Sequence, residues 1–381
     1  SAAGTEKLFI IENELIKLTL TNKGGRIKSV ELKKYSTSDS LPLYLFNGDS
    51  NVFNLNFFSD NKNIATNDLY FINSGGSFDV KGKNSNTLSM RLYASEYDYL
   101  EYQYSLTGNS YVVGLKINFH GLQDVVSSNT NYLALDWSVY GPRQEKSLKN
   151  ERISSTIYYR YYNDEVDYLS ETSDETKDLK TKVKWVAFKQ QFFSSILFAE
   201  TSFFTPTSIT TLSDVSTENQ VKQFKAAFTI PFGHLRDESF AMSYYFGPNH
   251  YKTLKEFDMG FEKIIPLGWG IFGWMNQGLI IPVFNFLGRF ISSYGIIILI
   301  LTIIIKILLF PLMYKSYLST AKMSVLKPEI DEIGAKFPKK EDAMKKQQAV
   351  MAMYKKAGVN PLGGCLPMLV QFPILIAMYR F

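Results

Sequence analysis

Between Gly295 and Leu312 lie eighteen residues of which only Lys306 is charged. At 1.5 Å of rise per residue such a helix spans roughly 27 Å, close to the hydrocarbon thickness of a bilayer. Residues 294–312 therefore read as a transmembrane helix. Tyr294 at one end and Phe310, Tyr314 and Tyr317 at the other supply aromatic belts for both interfaces. Residues 313–360 then carry ten lysines against five acids. The positive-inside bias puts that side in the cytoplasm and everything before the helix outside. Residues 1–268 hold 28 Lys+Arg against 31 Asp+Glu, so the net +5 of the chain is a sum of unlike segments. It is not a basic surface suited to nucleic acid, and no specific nucleic-acid recognition is expected.

From Glu6 to about Ile230 the hydrophobic period is two. Ile16, Leu18 and Leu20 alternate with Lys17 and Thr19, and the turn-prone Asn22-Lys23-Gly24-Gly25 leads into Ile27, Val30 and Leu32, which predicts a hairpin. The same alternation recurs at Leu100, Tyr102, Tyr104 and Leu106, at Val113, Leu115, Ile117 and Phe119, and at Leu133, Leu135, Trp137 and Val139. Many short strands with little helical pattern between them imply a sandwich of antiparallel sheets, taken as residues 1–250. Asn84-Ser85-Asn86-Thr87 and the stretch 213–219 look like surface loops.

Residues 251–293 turn helical and aromatic. Trp269, Trp274, Phe284, Phe286 and Phe290 mixed with Asn276, Gln277, Asn285 and Arg289 suit a helix lying at the membrane surface, with a buried core helix as the alternative. Residues 313–358 read as a cytoplasmic helical hairpin. Met323, Leu326, Ile330, Ile333 and Phe337 step by three and four, a heptad seam on a helix starting near Lys315, with Pro328 either a kink or a fresh start. Pro338 interrupts the seam, and Met344, Gln348, Met351 and Tyr354 continue it on a second helix that Gly358 ends. Residues 359–381 begin another apolar segment.

Three separate histidines, His120, His234 and His250, and one cysteine, Cys365, offer no metal-ligand spacing and no disulfide. No phosphate loop or nucleophile elbow is present, so neither an enzyme nor a cofactor is expected. Lys306 is the one residue with a chemical question attached. A charge inside a membrane helix costs several kcal/mol, so it either serves a purpose or snorkels toward the cytoplasmic headgroups. Thr302, one turn earlier, projects from the same helix face, and Gln371 adds a polar group in the next apolar segment. Together these could line a hydrophilic cleft.

The run from Gly295 through Pro311, the stretch from Tyr317 to Met323, and Asn360-Pro361-Leu362-Gly363-Gly364-Cys365-Leu366-Pro367 followed by Gln371-Phe372-Pro373 resemble the YidC family of bacterial membrane-protein insertases, relatives of the mitochondrial Oxa type. The stretch Trp185 to Phe193 and Tyr245-Phe246-Gly247-Pro248 are similar to members with a large periplasmic domain. The resemblance implies an all-β periplasmic super-sandwich followed by a membrane-embedded helical core of a multi-pass inner-membrane protein. It further implies a groove in the inner leaflet, open to cytoplasm and lipid, with a basic residue in its wall. That residue is commonly arginine in the family, and Lys306 stands at the matching position. Thr302 and Phe372 match groove-facing positions, with Gln371 a neighbour. Substrates would be nascent membrane proteins, and the implied partners are the lipid bilayer, the Sec translocon and the ribosome. The family also has a leading membrane helix and three later ones, which this sequence does not contain. Two rival readings remain at this stage: a membrane-anchored carbohydrate-binding sandwich and a small-solute transporter.

Overall fold

A computed structural model describes residues 3–59, 62–163, 165–213, 219–268, 270–338, 342–359 and 366–380. They form two compact units, 1–265 and 266–381.

The first unit is a β sandwich. One antiparallel hairpin joins strands Ile16–Thr21 and Arg26–Ser36, pairing Ile16 with Leu32 and Leu18 with Val30. Its turn needs two residues at positive φ, and Gly24 (+78°) and Gly25 (+61°) supply them. Strands Pro42–Asn47, Leu8–Glu12 and Phe78–Asp79 complete a five-stranded sheet. The other strands build a fourteen-stranded sheet whose path runs from Lys62–Ala65 at one end to Ile72–Ser74 at the other. The two ends are consecutive in sequence, so this sheet curls back until its edges lie a few residues of chain apart.

The period-two runs face the core. Leu100, Tyr102, Tyr104 and Leu106 on strand Tyr99–Thr107 are all buried, as are their partners Val113, Leu115, Ile117 and Phe119. Trp137 stacks on Phe188 with centroids 3.9 Å apart, and Phe188 stacks on Phe224. Each such side chain contributes roughly 1.5–3 kcal/mol of hydrophobic stabilisation. Ser85, Asn86 and Thr87 lie in strand Ser85–Tyr93, opposite Thr107, Leu106 and Ser105, and not in a loop. The local polar composition favours a turn, but the adjacent strand supplies the ladder that overrides it. Most of the proposed 213–219 loop lies outside the described residues.

The β unit also runs past residue 250. The helix Tyr251–Lys255 and the 3-10 turn Phe261–Ile264 pack Leu254, Phe261 and Ile264 against Trp185, Ala187 and Tyr245. Trp185 Nε1 and Arg160 Nη1 both donate to the Met259 carbonyl at 2.8 Å. The unit closes at Ile265 because these apolar side chains have their burial there.

In the second unit, helix Ile271–Met275, a π turn Asn276–Ile280 and helix Ile281–Leu287 follow one another directly. Trp269 lies outside the described residues. Trp274, Phe286 and Phe290 are exposed, whereas Ile280 and Ile281 are buried. Asn276 is fully buried and donates from Nδ2 to the Leu267 carbonyl at 2.8 Å. The next helix, α1 (Tyr294–Val325), is 32 residues long. At roughly 48 Å it exceeds the hydrocarbon thickness by several turns. It therefore contains both the membrane helix expected over 294–312 and the first limb of the hairpin expected from 313. Pro311 removes one amide donor without ending it, as neighbouring groups in membrane helices commonly allow.

The break falls at Leu326, and Pro328 opens α2 (Lys327–Lys336), so this proline marks a fresh start. α3 (Ala343–Lys356) packs against α2 and ends at Gly358 with φ +65°. α4 (Leu366–Arg380) follows. Ile280, Leu301, Ile305, Ile374 and Ala377 form the apolar cluster that joins the π turn, α1 and α4.

Candidate functional site: a cavity between two apolar helices

α1 and α4 enclose an open cavity of about 540 Å³. From α1 come Met313, Ser316, Tyr317 and Thr320, and from α4 come Met368, Gln371, Phe372 and Leu375. Helical spacing produces the wall: 313, 316/317 and 320 recur every three to four residues, as do 368, 371/372 and 375. Four side chains are hydroxyl or amide bearing, and four are methionine, phenylalanine or leucine. Such a lining can hydrogen-bond a polar chain and still accept apolar side chains. Thr320 Oγ1 donates to the Ser316 carbonyl at 3.1 Å, a local bond that keeps part of its polar capacity within α1.

Of the residues singled out in the sequence, Gln371 and Phe372 meet in this cavity. Thr302 and Lys306 do not line it. They stand on the same face of α1 nearer its N-terminus: at 100° per residue, Thr302, Lys306, Met313 and Thr320 fall within about 40° of one another. Lys306 is exposed and about 10 Å of helix rise before Met313. Thr302 is half-buried, and its hydroxyl donates to the Ile298 carbonyl at 2.8 Å. Leu301 and Ile305, the residues just before these two, are the ones that pack against α4, so Thr302 and Lys306 are turned aside from that contact.

The hairpin seam divides similarly. Met323, Leu326, Ile330, Ile333 and Phe337 are all half-buried. On α3 the half-buried residues are Ala349, Val350, Met353 and Tyr354, while Met344 and Met351 are exposed. The seam through Met351 is thus corrected to Met353. Positions 349–354 are apolar without a break, so the spacing there could not choose a face.

The sequence missed Met313, Ser316, Tyr317, Thr320, Met368 and Leu375 as lining residues. The signal was there in the Ser316/Thr320 spacing, but assigning everything after 312 to a hairpin hid that these residues continue the membrane helix. Asn360 to Cys365 lie outside the described residues, as do the side chains of Leu366 and Pro367. Among the described residues no group of three His, Cys, Asp or Glu side chains could hold a metal ion.

A long apolar helix with a cavity of mixed lining beside it, following a β sandwich, defines the class: a membrane protein with a large folded domain. Residues 286–381 match the family model described as 60Kd inner membrane protein, and residues 9–281 match the one described as YidC periplasmic domain. The chain belongs to the YidC family. Similar curated proteins named "Membrane protein insertase YidC" come from Parabacteroides distasonis (42% identical, 99% of this chain, 60% of that protein) and Bacteroides fragilis (40% identical, 99% and 61%). The chain therefore spans about three fifths of the length of these relatives. A galactose mutarotase related enzyme from Lactobacillus acidophilus matches 63% of this chain and 97% of its own at 10% identity with a TM-score of 0.40, a likeness too slight to bear on function.

Proposed function

We propose that this chain is the periplasmic domain and part of the insertion core of a membrane-protein insertase, which passes apolar segments of nascent proteins into the inner membrane without a hydrolytic cycle. One observation carries the reading. Lys306 and Thr302 share a face of the membrane helix with the polar side of the cavity, so a chain held by Ser316, Thr320 and Gln371 has a positive charge ahead of it on the same track. A hydrated, polar track part-way into the membrane shortens the apolar distance a hydrophilic tail must cross, and the ammonium favours acidic groups in transit. The apolar segment then leaves sideways, driven by burial in hydrocarbon. The name carried by the relatives supports the same activity.

In this reading the β unit faces the periplasm and the hairpin of α2 and α3 the cytoplasm, on the lysine bias already described. The lipid bilayer is a partner by the exposure of Ile298, Ile303, Ile307 and Phe310. The Sec translocon and the ribosome are partners the family resemblance proposes. The test uses the full-length protein in proteoliposomes and two matched substrates, one with an acidic and one with a neutral tail. Lys306→Leu should slow the acidic-tailed substrate about tenfold and spare the neutral one, while Lys306→Arg preserves both. Equal rates for wild type and Lys306→Leu on the acidic tail, at equal amounts of folded protein, overturn the electrostatic role.

A further inference from the structure

The β unit carries a second cavity, of about 380 Å³, distant in sequence from every residue of the membrane site. It lies where the two ends of the curled sheet approach each other. Phe57 and Ser59 come from strand Val52–Ser59 and Ile64 from the edge strand Lys62–Ala65. Leu92 and Leu100 come from the strands near the opposite end, and Leu69 from the connection between the two ends. Leu122, Asp124 and Val125 close a third side. The floor is apolar, with Phe57, Leu92, Leu100 and Leu122 all buried. The mouth carries the exposed Ala94 and Asp124.

Two features beside the cavity bear on what it takes. Lys62–Ala65 pairs with Val52–Ser59 alone among the described strands, so its other edge offers main-chain donors and acceptors to an added strand. Ile64, which sits opposite Phe57 in the ladder, points into the cavity, so an added strand would send alternate side chains the same way. The lining carries charge of one sign, while the one cation on the edge strand, Lys62, pairs with Ser59 at the end of the ladder. None of the lining side chains is cationic, and Asp124 accepts only from Gln123 Nε2, at 3.1 Å, with no ion pair among the described residues. The turn after Ala94, closed by Ala94 N to Asp98 O at 2.9 Å, contains Glu96 and Asp98.

We propose that this cavity and the edge beside it are a docking site for an extended polypeptide segment, which seats one apolar side chain in the cavity and places a basic residue against Asp124. The edge is only four residues long, so the cavity, more than the ladder, sets the affinity.

Fluorescence anisotropy on the full-length protein in lipid nanodiscs tests this. The probe is a fluorescein-labelled peptide alternating leucine and threonine with one arginine beside the central leucine, and empty nanodiscs serve as background. Ala94→Trp fills the mouth at an exposed position and should weaken binding about tenfold or more. Asp124→Lys should weaken the arginine peptide and leave a glutamate-bearing version unchanged or tighter. Equal affinity of wild type and Ala94→Trp, or equal affinity of the arginine and glutamate peptides for wild type, overturns the proposal. So does saturable binding of octylammonium that Ala94→Trp abolishes but the peptide does not displace, because the occupant is then a small amphiphile.

Discussion

Trp185 in the β unit is 0% exposed, and Phe310 in α1 is 65% exposed, although both are large aromatics in regular structure. The contrast holds for their surroundings. Trp185 meets Phe261 edge-on at 5.5 Å and donates from Nε1, whereas Ile307, Leu308 and Phe310 form a continuous exposed apolar face. In water such a face would be a liability, and in lipid it is the solvent-exposed surface. The first unit owes its stability to an interior, the second to its medium.

The largest expected effect breaks that comparison directly. Trp185→Ala should cost the β unit about 3–5 kcal/mol, through the cavity left and the loss of one of the two hydrogen bonds to the Met259 carbonyl. Leu308→Ala should leave the β unit's urea midpoint unchanged. Both are read from tryptophan-independent circular dichroism of the β signal. A loss from Trp185→Ala no larger than that from Leu308→Ala would mean that the helix Tyr251–Lys255 and the turn Phe261–Ile264 are not part of the β core.

A polar group deep in the same interior gives the next effect. Lys189 is almost fully buried, its Nζ donates to the Ser154 carbonyl, and burial pushes its pKa down from 10.5 to about 8. Lys222 beside it is buried too, bonded to the carbonyls of Ser155 and Glu171 at 2.8 and 2.9 Å, and its pKa is likewise lowered by burial. A lowered lysine pKa means that the folded state prefers the neutral amine. For Lys189, stability is then greatest above about pH 10.5 and falls as the pH drops toward 8, levelling off below. The span is about 3 kcal/mol at most. Between pH 8 and 10 wild type should gain about 2 kcal/mol of stability relative to Lys189→Met, read from denaturant midpoints; parallel curves would remove the assignment.

Gly25 gives a smaller one. It sits at φ +61°, and an added Cβ would lie 3.0 Å from the Phe71 ring, so Gly25→Ala should cost about 1–2 kcal/mol. Gly82→Ala, at the similar φ of +65° and with open space around it, should cost less. Equal losses at the two positions would remove the Phe71 contact from the explanation.

These positions also show what the sequence made legible. Alternation at Leu100 to Leu106 placed the core strands because one face of each is buried and period two leaves no other choice of face. An eighteen-residue run with a single charge placed the membrane helix for an equally simple reason, length against bilayer thickness. The limits came where a local rule had competition. Pro311 does not stop α1, the 85–87 segment is claimed by the strand beside it, and residues past 250 belong to the β unit because their apolar side chains find Trp185 and Tyr245. For the site, Gln371 and Phe372 were legible from the family's motif, but the lining from Met313 to Thr320 depends on α1 continuing unbroken, which no local pattern announced.

The smallest effect separates a periodic reading of a helix from its packing. Stepping by three and four from Met344 selects Met351 as the inward residue of α3, whereas the structure turns Met353 inward and leaves Met351 about half exposed. Met353→Asp places a carboxylate at a half-buried position of α3. It should loosen the α2–α3 pair by roughly 1 kcal/mol, less than a fully buried charge because the site is open on one side. Met351→Asp should change it by under about 0.5 kcal/mol, the usual range for an exposed position. Limited proteolysis of inverted membrane vesicles reads the difference, since trypsin cuts at the exposed lysines of α3 faster when the helix loosens. Faster cleavage at Lys355 and Lys356 in Met353→Asp, with Met351→Asp cut at the wild-type rate, places the seam on Met353; the reverse order would restore the heptad through Met351 and require α3 to be turned by roughly 200° about its axis.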